Sequence, residues 1–64
     1  MCETNAFILD GGVEVMLLES LARVEVNGDD ITLTGVFGDR EKVRARIREI
    51  NFQRGRVVME RLEG

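Results

Sequence analysis

The chain has almost none of the residues with which very small proteins reinforce their folds. It has 64 residues, of which one is cysteine and none is histidine. A single cysteine cannot form an internal disulfide, and without histidine it cannot supply the four ligands of a structural zinc site. A domain of this size buries only about 60% of the surface that its unfolded chain exposes. We therefore expect self-association to supply the missing stabilisation.

Short runs of β-forming residues alternate with glycine-containing turn signals along the whole sequence. The signals are DGG at 10–12, NGDD at 27–30, Gly38-Asp39 and QRG at 53–55. Between residues 23 and 34, apolar and polar residues alternate, which gives each strand one apolar and one polar face. Short strands separated by turn signals every 8 to 12 residues predict a small all-β barrel or sandwich.

The run VEVMLLES at 13–20 is more apolar than a strand with one buried face requires. Alternation turns Val13, Val15 and Leu17 towards the core. Met16 and Leu18 then face outward, where a partner subunit would cover them. A strand that is buried on both faces, or that flanks a bend, fits the same residues equally well.

The segment 39–52, DREKVRARIREINF, fits two different periods. As a helix it has an Asp39 cap and an apolar stripe of Val43, Ile47 and Ile50. As a strand it alternates apolar residues with a stripe of five cations, which are Arg40, Lys42, Arg44, Arg46 and Arg48. We predict the strand, because QRG then closes a hairpin with RVVMERL.

The charge distribution leaves nucleic-acid binding open as an alternative function. Residues 1–39 hold eight acidic side chains and one basic, whereas residues 40–56 hold seven basic side chains and two acidic, and the net charge is −3. The cationic stripe of 40–48 suits a nucleic-acid backbone, but it also suits a solvated face or a contact with the acidic half. Single-strand binding also needs stacking aromatics. We instead predict that Phe7, Phe37 and Phe52, which lie in apolar contexts, belong to the core.

The sequence shows no catalytic constellation, targeting signal or membrane span. It offers no histidine for proton transfer and no base placed beside Cys2. No apolar stretch approaches the roughly 18 residues that a membrane span needs, and no basic region precedes an apolar run at the N-terminus. Because no catalytic constellation is present, we expect that the protein is not an enzyme. Because an unpaired thiol is typical of reducing compartments, we expect it to be cytoplasmic.

The position of the cysteine suggests metal chelation by the chain terminus. The Met1 amine, the Cys2 amide nitrogen and the Cys2 sulfur can bind one ion together through two fused chelate rings. Nickel(II) and copper(II) accept such flat N,S coordination, whereas zinc prefers tetrahedral sites. A two-fold dimer brings the same residue of both subunits near its axis, so two Cys2 thiolates can complete one site. A lone cysteine also serves simply as a small apolar residue, and this interpretation stays open.

Three segments resemble the CooT-like nickel-binding proteins, a family once regarded as RNA-binding. The first is the MC start with the apolar strand VEVMLLES, the second is LARVEVNGDDITLTGVFGD, and the third is IREINFQRGRVVMER. Together they cover nearly the whole chain. The arginine-rich stretch at 40–48 is the unusual feature of this sequence within the resemblance.

The resemblance implies a fold, a metal and a partner. The fold is a small SH3-like β-barrel of five to six short strands, one domain over residues 1–64, that forms homodimers. The metal is Ni(II), held by Cys2 with the backbone nitrogens of Met1 and Cys2 as co-ligands. The implied role is that of a metallochaperone or accessory protein for a nickel enzyme such as carbon monoxide dehydrogenase, with that enzyme or its maturation factors as partners.

Overall fold

Six β-strands make up the computed structural model, which describes residues 3–62. The strands are β1 (Asn5–Asp10), β2 (Val13–Leu18), β3 (Leu21–Asn27), β4 (Asp30–Gly35), β5 (Arg40–Asn51) and β6 (Arg56–Arg61). The prediction of an all-β protein with five to six short strands is confirmed. Within the described part of the chain there is no helix long and apolar enough to cross a membrane.

All six strands belong to one sheet, in the order β2-β1-β6-β5-β4-β3. Neighbouring strands are antiparallel except β1 and β6, which are parallel. The twelve-residue strand β5 carries both halves of the sheet: residues 40–44 pair with β4, and residues 45–51 pair with β6. The two halves therefore face each other across a shared strand, and the core lies between them.

The core draws on both halves of the sheet. Its fully buried members of largest volume are Ile8, Ile31, Leu33 and Met59, which come from β1, β4 and β6. Ala45, at the point where β5 passes from one half to the other, is also buried. A small residue at this point lets the facing side chains of β1, β4 and β6 meet above the strand.

The prediction of a closed barrel is wrong for residues 3–62, because the sheet stays open with β2 and β3 as its edges. These strands follow each other through a tight corner at Glu19-Ser20, where Ser20 has a φ of 55°. The chain changes direction there, so the two strands diverge instead of pairing. The hydrogen bond from Val36 N to the Ser20 carbonyl, at 2.8 Å, extends the β3–β4 pairing into this corner. The likeness to SH3 folds stays a prediction.

The turn signals are confirmed, with one shift of register. Asn27 and Asp30 are the last paired residues of the β3–β4 hairpin, so Gly28 and Asp29 form its loop. Gly28 takes a φ of 63°, which a residue without a side chain adopts at no steric cost. The Asn-Gly pair thus marks the hairpin correctly but lies one residue before its centre.

The strand predicted for 39–52 is confirmed, and the helical alternative is wrong. β5 spans Arg40–Asn51 and keeps the predicted alternation through most of its length. Val43, Ala45 and Ile47 turn inward, while the cations between them are exposed. The long-range pairing with β4 and β6 decides between two periods that fit the segment equally well by themselves.

The predicted burial of β2 is partly wrong. Leu18 is buried in the core, and Val13 and Val15 are exposed, each against the prediction. Leu17 packs against the core and Met16 is exposed, as predicted. The pairing of β1 with β2 shifts register between Ala6 and Phe7, and a shift of one residue reverses which face of a strand is buried.

The predicted burial of the phenylalanines also fails for two of the three. Phe37 is 87% exposed and Phe52 is 77% exposed. Both follow the end of a strand, where the sheet no longer covers them. Phe7 is half-buried, with the Arg56 guanidinium 4.5 Å from the centre of its ring.

We predict that Val57→Thr destabilises the protein far more than Val13→Thr does. Both substitutions keep a β-branched side chain, but Val57 is buried and Val13 is 61% exposed. A hydroxyl buried without a partner costs about 1–3 kcal/mol, whereas an exposed one changes the free energy of unfolding by less than about 0.5 kcal/mol. Urea unfolding of both variants measures the difference. Equal losses would contradict the assigned core.

Candidate functional site

The predicted metal ligands, Met1 and Cys2, lie outside the described residues. The structure does describe the segment that follows Cys2 directly, Glu3–Asn5. The position of this segment fixes where the chain leads away from the described fold towards Cys2. It is therefore the described part of the chain that lies nearest to the predicted terminal metal site.

Three hydrogen bonds from distant parts of the chain hold this segment. The Leu21 amide donates to the Thr4 carbonyl at 2.6 Å, and the Asn5 amide donates to the Gly55 carbonyl at 2.8 Å. The Asn5 side-chain oxygen accepts from the Ser20 amide at 3.1 Å. The segment is thus attached on one side to the corner before β3 and on the other to the turn before β6.

Gly55 allows the closest of these approaches. It is buried, and its φ of 66° lies in the left-handed region. A side chain at this position would collide with the Glu3 carbonyl oxygen and touch the Thr4 backbone. Glycine is therefore required at position 55 both by its own conformation and by the N-terminal segment that packs against it.

An apolar groove of about 340 Å³ opens beside this attachment point. Its walls come from the residue before β1, the start of β3, the end of β5 with the following turn, and β6. They are Thr4, Leu21, Ala22, Arg23, Val24, Ile50, Phe52 and Val57. Ile50 is 48% exposed here, and Phe52 is more exposed still. The groove leaves apolar surface uncovered next to the residues that follow the predicted ligands.

Sequence reasoning missed this groove because it assigned Phe52 to the core. The available signal was the position of Phe52 directly before the QRG turn, at the end of a strand. A side chain in that place lies at the rim of a sheet. The contribution of Leu21 and Thr4, by contrast, depends on contacts between segments that are distant in sequence.

The five cations of the alternative nucleic-acid site form one exposed row along β5. They differ in whether acidic residues of the same chain lie beside them. Arg44 pairs with Asp29 at 3.9 Å, and Arg48 pairs with Glu60 at 3.4 Å. Arg46 lies opposite Glu60 in the β5–β6 register. These three cations at the carboxyl end of the row therefore have acidic neighbours within the same chain.

The two cations at the start of the row have different neighbours. Arg40 lies opposite Thr34, and Lys42 lies opposite Thr32. Neither forms an ion pair with any residue in the range 3–62. The five predicted cations thus lie in one row, but three of them have acidic neighbours and two do not.

A second, larger groove of about 600 Å³ lies on the outer face of β1, β5 and β6. Its walls mix both signs of charge with apolar side chains: Leu9, Glu14, Arg48, Glu49, Asn51, Arg54, Arg56 and Val58. Arg56 pairs with Glu14 here. The groove meets the cationic row at Arg48, but Arg48 and Arg56 are paired with Glu60 and Glu14, so it adds no unpaired positive charge from these two residues.

Metal binding has no candidate among the side chains of the described residues. Residues 3–62 contain no group of three or more aspartate, glutamate, cysteine or histidine side chains placed to hold one ion. The terminal hypothesis is not affected, since its donors are a thiolate and backbone nitrogens of residues 1 and 2.

Comparisons with known proteins give a consistent family. The sequence model of CooT, described as the CO dehydrogenase accessory protein CooT, matches residues 1–60. A crystal structure assigned to CooT from Carboxydothermus hydrogenoformans superposes with a TM-score of 0.86 at 29% sequence identity. The alignment covers 97% of this chain and 100% of that chain. No match was found among curated proteins.

We predict that Gly55→Ala loosens the attachment of the N-terminal segment, whereas Gly11→Ala does not. Both glycines have left-handed φ values, 66° and 61°, but Gly11 faces open space. The conformational cost, about 1–2 kcal/mol, is therefore common to both, and only Gly55→Ala adds the collision with Glu3.

Hydrogen exchange checks this prediction. The amides of Asn5 and Leu21, which donate the two backbone hydrogen bonds of the attachment, should exchange faster in Gly55→Ala and remain protected in Gly11→Ala. Unchanged protection in both variants would show that the segment is not held in the way described.

Proposed function

Because this chain belongs to the CooT family of CO dehydrogenase accessory proteins, we propose that it carries nickel during the maturation of a nickel enzyme. The ion is the cargo of a cytoplasmic, non-enzymatic metallochaperone, and carbon monoxide dehydrogenase is its client. The Met1-Cys2 unit holds the ion. The observation that carries the proposal is the fixed attachment of Glu3–Asn5, directly after Cys2, beside an exposed apolar groove.

The donor set suits the proposed ion. A terminal amine, an amide nitrogen and a thiolate from adjacent residues form a planar set when the amide proton is displaced. Nickel(II) accepts square-planar N,S coordination, and soft thiolate favours it over hard, oxygen-binding cations. Because these donors come from two consecutive residues, the site needs no histidine, in agreement with the composition of the chain.

The hydrogen-bonded attachment of Glu3–Asn5 limits the space that the preceding donors can reach. Chain termini are commonly frayed unless they are tied down. Here the Thr4 carbonyl accepts from the Leu21 amide and the Asn5 amide donates to the Gly55 carbonyl, so Cys2 lies two residues before the first fixed group. Less conformational freedom is lost when an ion binds donors that are held close to a fixed point.

The homodimer belongs to the same proposal. The chain is small, and Ile50 and Phe52 leave apolar area open beside Thr4. A second copy packed on this groove would cover that area and bring the two termini near the dimer axis, because a two-fold interface places the same residues of both subunits together. The metal is then held at or near the interface.

Nucleic-acid binding by the stripe of 40–48 is less well supported. Arg44 and Arg48 are already paired with Asp29 and Glu60. Such pairs leave less free positive charge for phosphate groups, whose neutralisation dominates nucleic-acid affinity.

We predict that Cys2→Ser abolishes tight nickel binding and leaves the fold and the dimer intact. A serine hydroxyl is a harder and weaker ligand for nickel than a thiolate. Isothermal titration with Ni(II) under reducing conditions measures the loss, and circular dichroism with size-exclusion chromatography monitors the fold and the dimer.

The double variant Arg44→Glu/Arg46→Glu is the control for this titration. It reverses charge on the alternative site but leaves the terminal donors in place, so its nickel affinity should stay close to that of the wild type. Nickel binding that survives Cys2→Ser, or that is lost in the control, would contradict the assigned ligands.

We also predict that nickel affinity falls steadily as the pH is lowered. The thiol and the amide must both lose a proton to bind the ion, so protons compete with nickel and binding releases them. Titrations in two buffers of different ionisation enthalpy count the protons released. An affinity that does not change with pH would exclude a thiolate and amide site.

A further inference from the structure

We propose that the β4–β5 turn and the two cations that follow it dock this chain onto a protein surface that presents carboxylates around an apolar recess. We call this surface the docking tip and define it by Val36, Phe37, Arg40 and Lys42. Its four residues are distinct from those of the N-terminal attachment, although both surfaces are hydrogen-bonded to Ser20. The inference rests on the proposed function in one respect, since it assigns the surface through which a nickel carrier meets its client enzyme.

The tip exposes an unusual amount of apolar surface for two adjacent residues. Phe37 is the most exposed of the large hydrophobic side chains in the described part of the chain, and Val36 beside it is also exposed. Single exposed apolar residues are ordinary on protein surfaces. An adjacent pair that includes a projecting aromatic ring provides the kind of anchor that buries itself in a pocket of a partner.

The backbone of the turn is held in place, so this surface is ready for contact. Gly35 N donates to the Asp39 carbonyl at 2.8 Å, and Gly38 N donates to the Gly35 carbonyl at 3.0 Å. Val36 N donates to the Ser20 carbonyl at 2.8 Å, which ties the tip to the corner before β3. A group that is fixed before binding loses little conformational entropy when it docks.

The charge beside the tip is positive and is not neutralised within residues 3–62. Arg40 and Lys42 point outward next to two threonines of β4. The Asp39 carboxylate lies over Gly35, and strand alternation turns Glu41 to the opposite side from its neighbours. A partner surface with carboxylates at the rim of its recess would match this pattern, since complementary charge speeds association and selects the partner.

A protein partner fits these features better than a nucleic acid does. Single-strand binders use a positively charged groove with several aromatic rings in succession, whereas the tip is a projection with one ring and two cations. Aromatic residues and arginine are also the residue types most enriched at protein interfaces.

Kinetic binding of the full chain to nickel-free carbon monoxide dehydrogenase from the same organism tests the proposal. In biolayer interferometry, Phe37→Ala should lower the affinity about tenfold or more, mainly through faster dissociation. Arg40→Glu should slow association and reduce its dependence on salt. Phe37 and Arg40 are exposed, so thermal unfolding of both variants should match that of the wild type.

Matched substitutions elsewhere serve as controls. Val13→Ala removes an exposed apolar side chain at the β1–β2 turn, and Arg54→Glu reverses an exposed charge at the β5–β6 turn. Both should bind the enzyme as the wild type does. Wild-type affinity in Phe37→Ala, an equal loss in the controls, or no complex with the wild-type chain would overturn the inference. Binding to a thymidine oligonucleotide that depends on Phe37 would overturn it in favour of nucleic acid.

Nickel titration of the same variants separates this inference from the proposed function. Phe37→Ala should bind nickel normally while it fails to dock. A chain that docks through Phe37 but takes no nickel would support the docking tip and overturn the nickel carrier. A chain that takes nickel and docks independently of Phe37 would support the nickel carrier and overturn the docking tip.

Discussion

The fold depends on one long strand that hydrogen-bonds to a different neighbour along each half of its length. β5 pairs with β4 through residues 40–44 and with β6 through residues 45–51, so the sheet turns back on itself around Ala45. Because β6 then pairs in parallel with β1, the turn before β6 comes to lie against Glu3–Asn5. The position of the N-terminal segment is thus a consequence of the β5 crossover, through Gly55.

The same strand also sets the electrostatic surface. Alternation places its cations on the outer face, and the pairing partners then determine which of them are neutralised. Towards the end of the strand, Arg44 and Arg48 reach Asp29 and Glu60. At the start, Arg40 and Lys42 lie against uncharged threonines beside the projecting Phe37. A stripe that appears uniform in the sequence therefore separates into a structural part and a part available for contact.

Local patterns predict the strands and turns of this protein well, because each depends on alternation and glycine within a few residues. They do not predict which face of β2 is buried, since a register shift opposite Ala6 and Phe7 decides that. They also do not predict the open sheet, which depends on the corner at Ser20. The composition identifies Cys2 as a potential ligand, but the attachment of Glu3–Asn5 through Gly55 follows only from pairing between β1 and β6. Apolar composition alone is equally a poor guide to the burial of Phe37 and Phe52.

The central claim is that the first two residues hold a nickel ion from a fixed position on the fold. Native mass spectrometry of the reduced wild-type chain, titrated with Ni(II), tests it most directly and also shows whether Met1 is retained. The account predicts a dimer that is present without metal and takes up nickel at stoichiometric metal. A chain that stays free of nickel at saturating metal, while its dimer and fold are intact, would contradict it.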